Sequence, residues 1–179
     1  VLSGKTTPSI VLVTSSFSGE GKSFISTNIG ATLAISGKRT VILEFDLRKP
    51  KILVGLGLPQ GKGLTNYLVG DAQMEELIHQ APKIENLFVI PCGPVPPNPS
   101  EILLTSKIAE LFDWLQQKFD AIVIDTAPVG LVSDAFTLSQ YADTTIYVVR
   151  QRYTFKRQIN FIDELYTHKK LPQLGVLVN

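Results

Sequence analysis

Apolar residues in this chain gather in short, β-branched runs separated by longer stretches with helical spacing. The runs at 10–14, 40–45, 87–91, 121–125, 144–149 and 174–178 read as strands apolar on both faces. Between them, 22–36, 63–68, 71–80, 100–118, 134–141 and 154–168 read as helices. Doubly buried strands alternating with helices predict an α/β fold, a parallel twisted sheet flanked by helices. The segment GPVPPNP at 93–99 breaks the rhythm and is expected to be an extended loop. It leads into a helix start, with Asn98 as cap, Pro99 at the first helical position and Glu101 three residues after the cap.

Composition narrows the class without fixing it. A length of 179 residues suits one domain with a sizeable core. A net charge of +1 offers no bulk attraction to nucleic acid or anionic lipid. The single cysteine, Cys92, excludes an internal disulfide and any cluster built from several cysteines, iron–sulfur types included. No run of eighteen apolar residues and no signal-peptide pattern occurs in it. The chain opens on Val1 and stops at Asn179 straight after an apolar run, so it is expected to be a single domain, 1–179, excised from a longer protein.

Candidate chemistry begins at residues 14–23, TSSFSGEGKS. The phosphate-loop pattern G-x-x-x-x-G-K-[ST] is matched at Gly21, Lys22 and Ser23, but its first glycine is replaced by Ser16. Context favours a functional loop: the apolar strand at 10–13 precedes it and a helix-forming stretch follows. In such a loop successive backbone amides wrap phosphate oxygens, the lysine reaches the β- and γ-phosphates, and the hydroxyl ligates Mg²⁺. Gly19 and Gly21 supply the positions where the backbone turns left-handed or comes close. A second GKT, at Gly4-Lys5-Thr6, has no strand before it and Pro8 close behind, and is expected to be a tail or turn.

A metal-holding carboxylate is expected at the end of a neighbouring apolar strand. Asp125 closes AIVID at 121–125 and suits a Walker B position. In VILEFDLRKP, 41–50, Glu44 and Asp46 stand two apart, sharing one orientation if the strand extends that far, with Arg48, Lys49 and Lys51 just beyond. Strand carboxyl ends are where open α/β sheets place their ligands.

Together these motifs resemble those of the cytoplasmic catalytic domain of bacterial tyrosine kinases, which accompany capsule and exopolysaccharide synthesis. The family's S-x-P-G-E-G-K-S loop compares with SFSGEGKS at 16–23, where Ser18 replaces the proline. Its acidic motif compares with VILEFDLR, where Glu44 replaces the first aspartate; its D-x-[PA]-P compares with Asp125-Thr126-Ala127-Pro128; and PPNPSEIL at 96–103 is a further hallmark. The resemblance implies a P-loop NTPase fold of the ParA/MinD kind and an enzyme using ATP, giving ADP, with Mg²⁺. Nucleotide contacts are implied for Ser18, Gly19, Glu20, Gly21, Lys22, Ser23 and Phe24, and for Asn179 against adenine. Metal ligation is implied for Ser23, Asp46 and Asp125, and catalytic roles for Lys22, Glu44, Asp46, Arg48 and Asp125. It also implies a location at the inner face of the cell membrane, a membrane activator in cis or trans, and a ring-forming homo-oligomer in the full-length protein. The acceptor would be the tyrosine-rich tail of a neighbouring subunit. Two family features do not occur within 1–179: an upstream helix with a spaced Glu-Arg-Arg pattern used in ring assembly, and a terminal tyrosine cluster.

Two rivals stand beside this expectation. A ParA/MinD-like ATPase shares the fold but carries a signature lysine where this chain has Phe17. A nucleotide-binding regulator of polysaccharide polymerisation would keep the same motifs without turnover. Cys92 reads as a small strand-end residue, and His79 and His168 as positions on helical surfaces. Asp134 reads as a helix cap, and the basic RQRYTFKR at 150–157 as a helix start or a contact to phosphate or a neighbour.

Overall fold

The computed structural model describes residues 8–179, so the GKT at Gly4-Lys5-Thr6 lies outside the described residues. Seven strands follow in chain order: β1 (Ser9–Ser15), β2 (Thr40–Phe45), β3 (His79–Gln80), β4 (Leu87–Ile90), β5 (Ala121–Thr126), β6 (Thr144–Val149) and β7 (Leu174–Val178). The helices are α1 (Lys22–Ile35), α2 (Ile52–Leu56), α3 (Leu64–Val69), α4 (Pro99–Ile102), α5 (Lys107–Lys118), α6 (Asp134–Ser139) and α7 (Arg157–Thr167). The strands form one sheet in the order β3-β4-β2-β5-β1-β6-β7. Every neighbouring pair is parallel except β3 with β4.

Period-two alternation sorts each strand's apolar residues to two separate cores. Ile10 and Leu12, Val41, Leu43 and Phe45, and Ile122 and Ile124 pack with α5 residues such as Leu111, Phe112 and Leu115. Val13, Ile42, Val89, Val123 and Val148 pack on the opposite face with Ala34 of α1 and Ile52 of α2. Chain order then places the ligand edge. From central β1 the chain passes to β2 on one side, while β6 and β7 lie on the other. The carboxyl end of β1 is therefore a switch point, where a crevice opens above the sheet.

The structure corrects the expected elements in four places. The stretch at 71–80 is a short 3₁₀ turn, Met74–Leu77, followed by β3, so His79 sits in a strand. The open edge of β4 draws 79–80 into antiparallel pairing, and the Ala81 N–H donates to the Leu87 carbonyl at 2.8 Å. The helix expected at 100–118 divides into α4 and α5, with Leu103 between them buried in the core. The helix expected from 154 begins at Arg157, because the Thr154 hydroxyl folds back to accept the Arg150 N–H at 2.8 Å. Asn98 makes no side-chain cap bond, and donates instead to the Glu101 carboxylate at 3.0 Å; Pro99 does open α4.

Candidate active site

The loop joining β1 to α1 stands at that switch point. Its backbone is left-handed only at Gly19 (φ 92°) and Gly21 (φ 102°). Ser16 is not among the left-handed positions, so the missing first glycine costs no backbone freedom there. Its hydroxyl hydrogen-bonds the buried Tyr147 hydroxyl at 2.9 Å, which gives the serine work of its own beneath the loop. Burial pushes the Tyr147 phenol up to about 12. Within the loop, Ser15 Oγ donates to the Phe17 carbonyl at 2.8 Å, and the Phe17 N–H donates to Glu20 Oε2 at 2.7 Å. The Glu20 side chain is thus turned into the loop and fully buried.

Outside contacts come from the ends of β6 and β7. Tyr153 Oη donates to the Ser18 carbonyl at 2.9 Å, and Arg150 Nη1 to the Gly19 carbonyl at 2.8 Å. Asn179 Nδ2 donates to the Glu20 carbonyl at 3.0 Å, and the Thr154 hydroxyl donates to the Glu20 carboxylate. The basic stretch at 150–157 therefore reaches the phosphate loop instead of serving only as a helix start.

Three charges meet beneath the loop's mouth. Lys22, at the first position of α1, Asp46, just past β2, and Asp125, in β5, are all buried. Asp125 is level with Val13 of β1 and Glu44 of β2. Each of its oxygens accepts from a serine of α1: Oδ2 from Ser23 Oγ at 2.8 Å, Oδ1 from Ser26 Oγ at 2.9 Å. Burial pushes the Asp125 carboxyl up to about 7, against the opposing pull of those hydroxyls and Lys22. Burial also raises Asp46, again partly offset by Lys22. Burial lowers Lys22, with Asp125, Asp46 and Glu20 working the other way.

A cleft of about 590 Å³ opens over these groups, lined by Ser18, Gly19, Gly21, Lys22, Ser23 and Phe24 of the loop. Asp46, Lys51 and Arg150 also line it. A serine hydroxyl with one or two carboxylates beside backbone amides is the donor set of a Mg²⁺ ion that keeps waters and phosphate oxygens in its shell. The site fits that cation together with a polyphosphate.

Glu44 and Asp46 part company. β2 ends at Phe45, where the Leu47 N–H turns back to the Phe45 carbonyl at 2.9 Å. Glu44 Oε1 then accepts the N–H groups of Lys51 (2.6 Å) and Ile52 (2.5 Å), and Oε2 accepts that of Cys92 (3.2 Å). The carboxylate so caps α2, which is too short to show as a helical pattern in the sequence. It borders a second cleft of about 310 Å³, with Cys92, Pro94 and Val95, that shares Lys51 with the first. Burial pushes the Cys92 thiol up to about 12, which keeps it protonated at neutral pH.

Arg48 Nη2 donates to Ser100 Oγ at 2.9 Å, and Ser100 Oγ donates onward to Asp134 Oδ1 at 2.8 Å. This ties the proline-rich segment and α6 to the end of β2. Asp134 is the first residue of α6 and makes no cap bond, so its expected role gives way to this one. Sequence reasoning carried Ser100 only as a member of PPNPSEIL, and Tyr153 and Thr154 only as members of RQRYTFKR, and it left out Ser26. That serine was within reach, because it repeats Ser23 at a three-residue spacing on the helix face toward β5.

No family model matches the chain. It is 34% identical over 169 residues to tyrosine-protein kinase YwqD of Bacillus subtilis, covering 94% of this chain and 71% of that protein. The crystal structure of the chimerical protein CapA2B2 superposes with a TM-score of 0.89 at 33% identity, over 96% of this chain and 75% of that one. The septum site-determining protein MinD of Pyrococcus horikoshii, solved with Mg-ADP, superposes at 0.77 with 24% identity, over 96% of this chain and 70% of that one; the likeness is one of fold. The sheet and its loop have the P-loop NTPase fold. With a third of its residues shared along nearly its whole length, the chain belongs to the bacterial tyrosine-protein kinases.

Proposed function

We propose that this domain transfers the γ-phosphoryl group of ATP to tyrosine hydroxyls, within a system that makes or exports capsular or extracellular polysaccharide. The observation that carries this reading is the burial of Lys22, Asp46 and Asp125 together at the mouth of the phosphate loop. Loop amides and Lys22 would bind the polyphosphate and hold it in line for attack. Mg²⁺, held by Ser23, Asp125 and Asp46, would supply charge neutralisation on the phosphate oxygens. Where it does not hold the metal, Asp46 would accept the proton of an incoming tyrosine hydroxyl, its carboxyl raised by burial in the cation-free site. Arg48, anchored by Ser100 and Asp134, would contact a phosphate or the protein partner. Asn179 would contact the adenine through the part of its amide not given to the Glu20 carbonyl.

Acceptor and assembly would lie outside this domain. Tyr147 and Tyr67 are buried, while Tyr153 and Tyr166 are exposed; the proposed acceptor is the tyrosine-rich tail of a neighbouring subunit. Among the described residues no helix is long and apolar enough to cross a membrane. A membrane activator, fused or separate, would hold the domain at the inner face of the cell membrane, where full-length subunits would form a ring.

Incubation with labelled ATP, Mg²⁺ and a tyrosine-rich peptide should give phosphotyrosine. Release of inorganic phosphate alone would overturn the kinase reading and favour a ParA/MinD-like ATPase. Binding should also depend on pH through Asp125, which must be ionised to hold a cation. With its pKa near 7, affinity for Mg·ADP at constant free Mg²⁺ should fall roughly tenfold from pH 8 to pH 6. Calorimetric titration of Asp125→Asn, weak at both pH values, should lack that step. The sign for stability is opposite. A raised carboxylate pKa favours the nucleotide-free fold at low pH, and that contribution is lost as pH rises through about 7.

A further inference from the structure

Three consecutive carbonyls of the phosphate loop are each held by a different side chain from outside it. Ser18 is held by Tyr153, Gly19 by Arg150 and Glu20 by Asn179. The donors share one origin. Arg150 and Tyr153 follow the end of β6, Asn179 follows the end of β7, and these strands pair side by side. In a trans peptide the C=O and the next N–H point in opposite directions. No peptide among the described residues is cis.

We infer that Arg150, Tyr153 and Asn179 are positioning residues that aim the loop's amides. Holding the carbonyls of 18, 19 and 20 toward the β6–β7 side turns the N–H groups of Gly19, Glu20 and Gly21 the other way, toward a bound polyphosphate. The amides are oriented before the ligand arrives, so no reorganisation is needed when charge enters. This rests on the nucleotide-binding part of the function proposed above and adds residues to which that reading gave no such role.

The close packing of this clamp supports the assignment. A Cβ at Gly19 would lie 2.9 Å from Tyr153 Oη, and one at Gly21 would lie 2.2 Å from Asn179 Nδ2. The two glycines therefore serve the clamp's approach as well as the left-handed backbone. The donors also brace one another. The Arg150 guanidinium lies over the Tyr153 ring, 5.3 Å from its centroid, and the Tyr153 N–H donates to the Arg150 carbonyl at 3.1 Å. Thr154 closes the turn by accepting from the Arg150 N–H while donating to Glu20.

The test is calorimetric binding of Mg·ADP and of adenosine to wild type, Tyr153→Phe, Arg150→Ala and Arg150→Lys, with thermal midpoints of the nucleotide-free proteins. Tyr153→Phe and Arg150→Ala should each weaken Mg·ADP about five- to tenfold, the scale of one lost hydrogen bond to a polar group. Adenosine, which has no phosphate, should bind as before, midpoints should hold, and Arg150→Lys, which keeps a donor, should recover part of the loss. Unchanged Mg·ADP affinity in both donor-deleting variants would overturn the clamp. So would equal weakening of ADP and adenosine with a lowered midpoint, which marks general damage. A wild-type domain that binds Mg·ADP but phosphorylates no tyrosine would sink the kinase reading and leave the clamp standing.

Discussion

Replacing Lys22 with methionine is expected to reduce tyrosine phosphorylation by a factor on the order of 10²–10³ while leaving the fold intact. Methionine matches the length of the lysine stem and fills the same buried channel at the start of α1. What it removes is an ammonium that acts on both Asp46 and Asp125. Two effects then act in the same direction. The transferring phosphoryl group loses a cation that stabilises its developing charge, and the two acids lose the charge that offsets their burial. Asp125 should therefore titrate higher in the variant, and raising pH should recover only part of the cation binding. Initial rates of phosphotyrosine formation, with far-ultraviolet circular dichroism as a check on folding, decide the matter. Phosphorylation within a few-fold of wild type would remove Lys22 from the chemistry.

The second large effect concerns stability. Glu44→Ala would leave three backbone N–H groups, those of Lys51, Ile52 and Cys92, without their charged acceptor in a buried place. Hydrogen bonds to charged groups and the desolvation of orphaned amides together give a loss of about 3–5 kcal/mol. For a domain of this size that corresponds to a thermal midpoint lower by roughly 10 °C. Glu44→Gln keeps one acceptor oxygen and should lose less. The comparison separates two roles for this residue. If Glu44→Gln abolished phosphoryl transfer with an unchanged melting curve, the carboxylate would act in the chemistry and not chiefly as the cap of α2.

The sheet could be read from the sequence because its strands are apolar on both faces and its crossovers are helical, which leaves few other architectures. The phosphate loop was equally visible, since it is contiguous and flanked by the strand and helix that its mechanism demands. Asp125 followed because a carboxylate closing an apolar strand has few structural reasons to be there. Pairings across the chain were hidden. Nothing local links Glu44 to Cys92, Ser100 to Asp134, or Tyr153 to Ser18, separated by 135 positions. β3 was lost for a related cause, since a two-residue strand exists only because β4 offers it an edge. The residues alone led as far as a nucleotide site; the order of the four motifs carried the tyrosine-kinase class.

The bond from Ser23 to Asp125 bears on which kind of ion this spot can welcome. A solvent-facing serine turns its hydroxyl freely and greets an anion or a cation equally well. With Asp125 ionised, the only proton on that oxygen is committed to the buried carboxylate, so its lone pairs alone remain for whatever approaches. Ser26 secures the other carboxylate oxygen and keeps Asp125 from swinging away to release that proton. The rotor is frozen in the sense a metal requires, at a cost met when the chain folds.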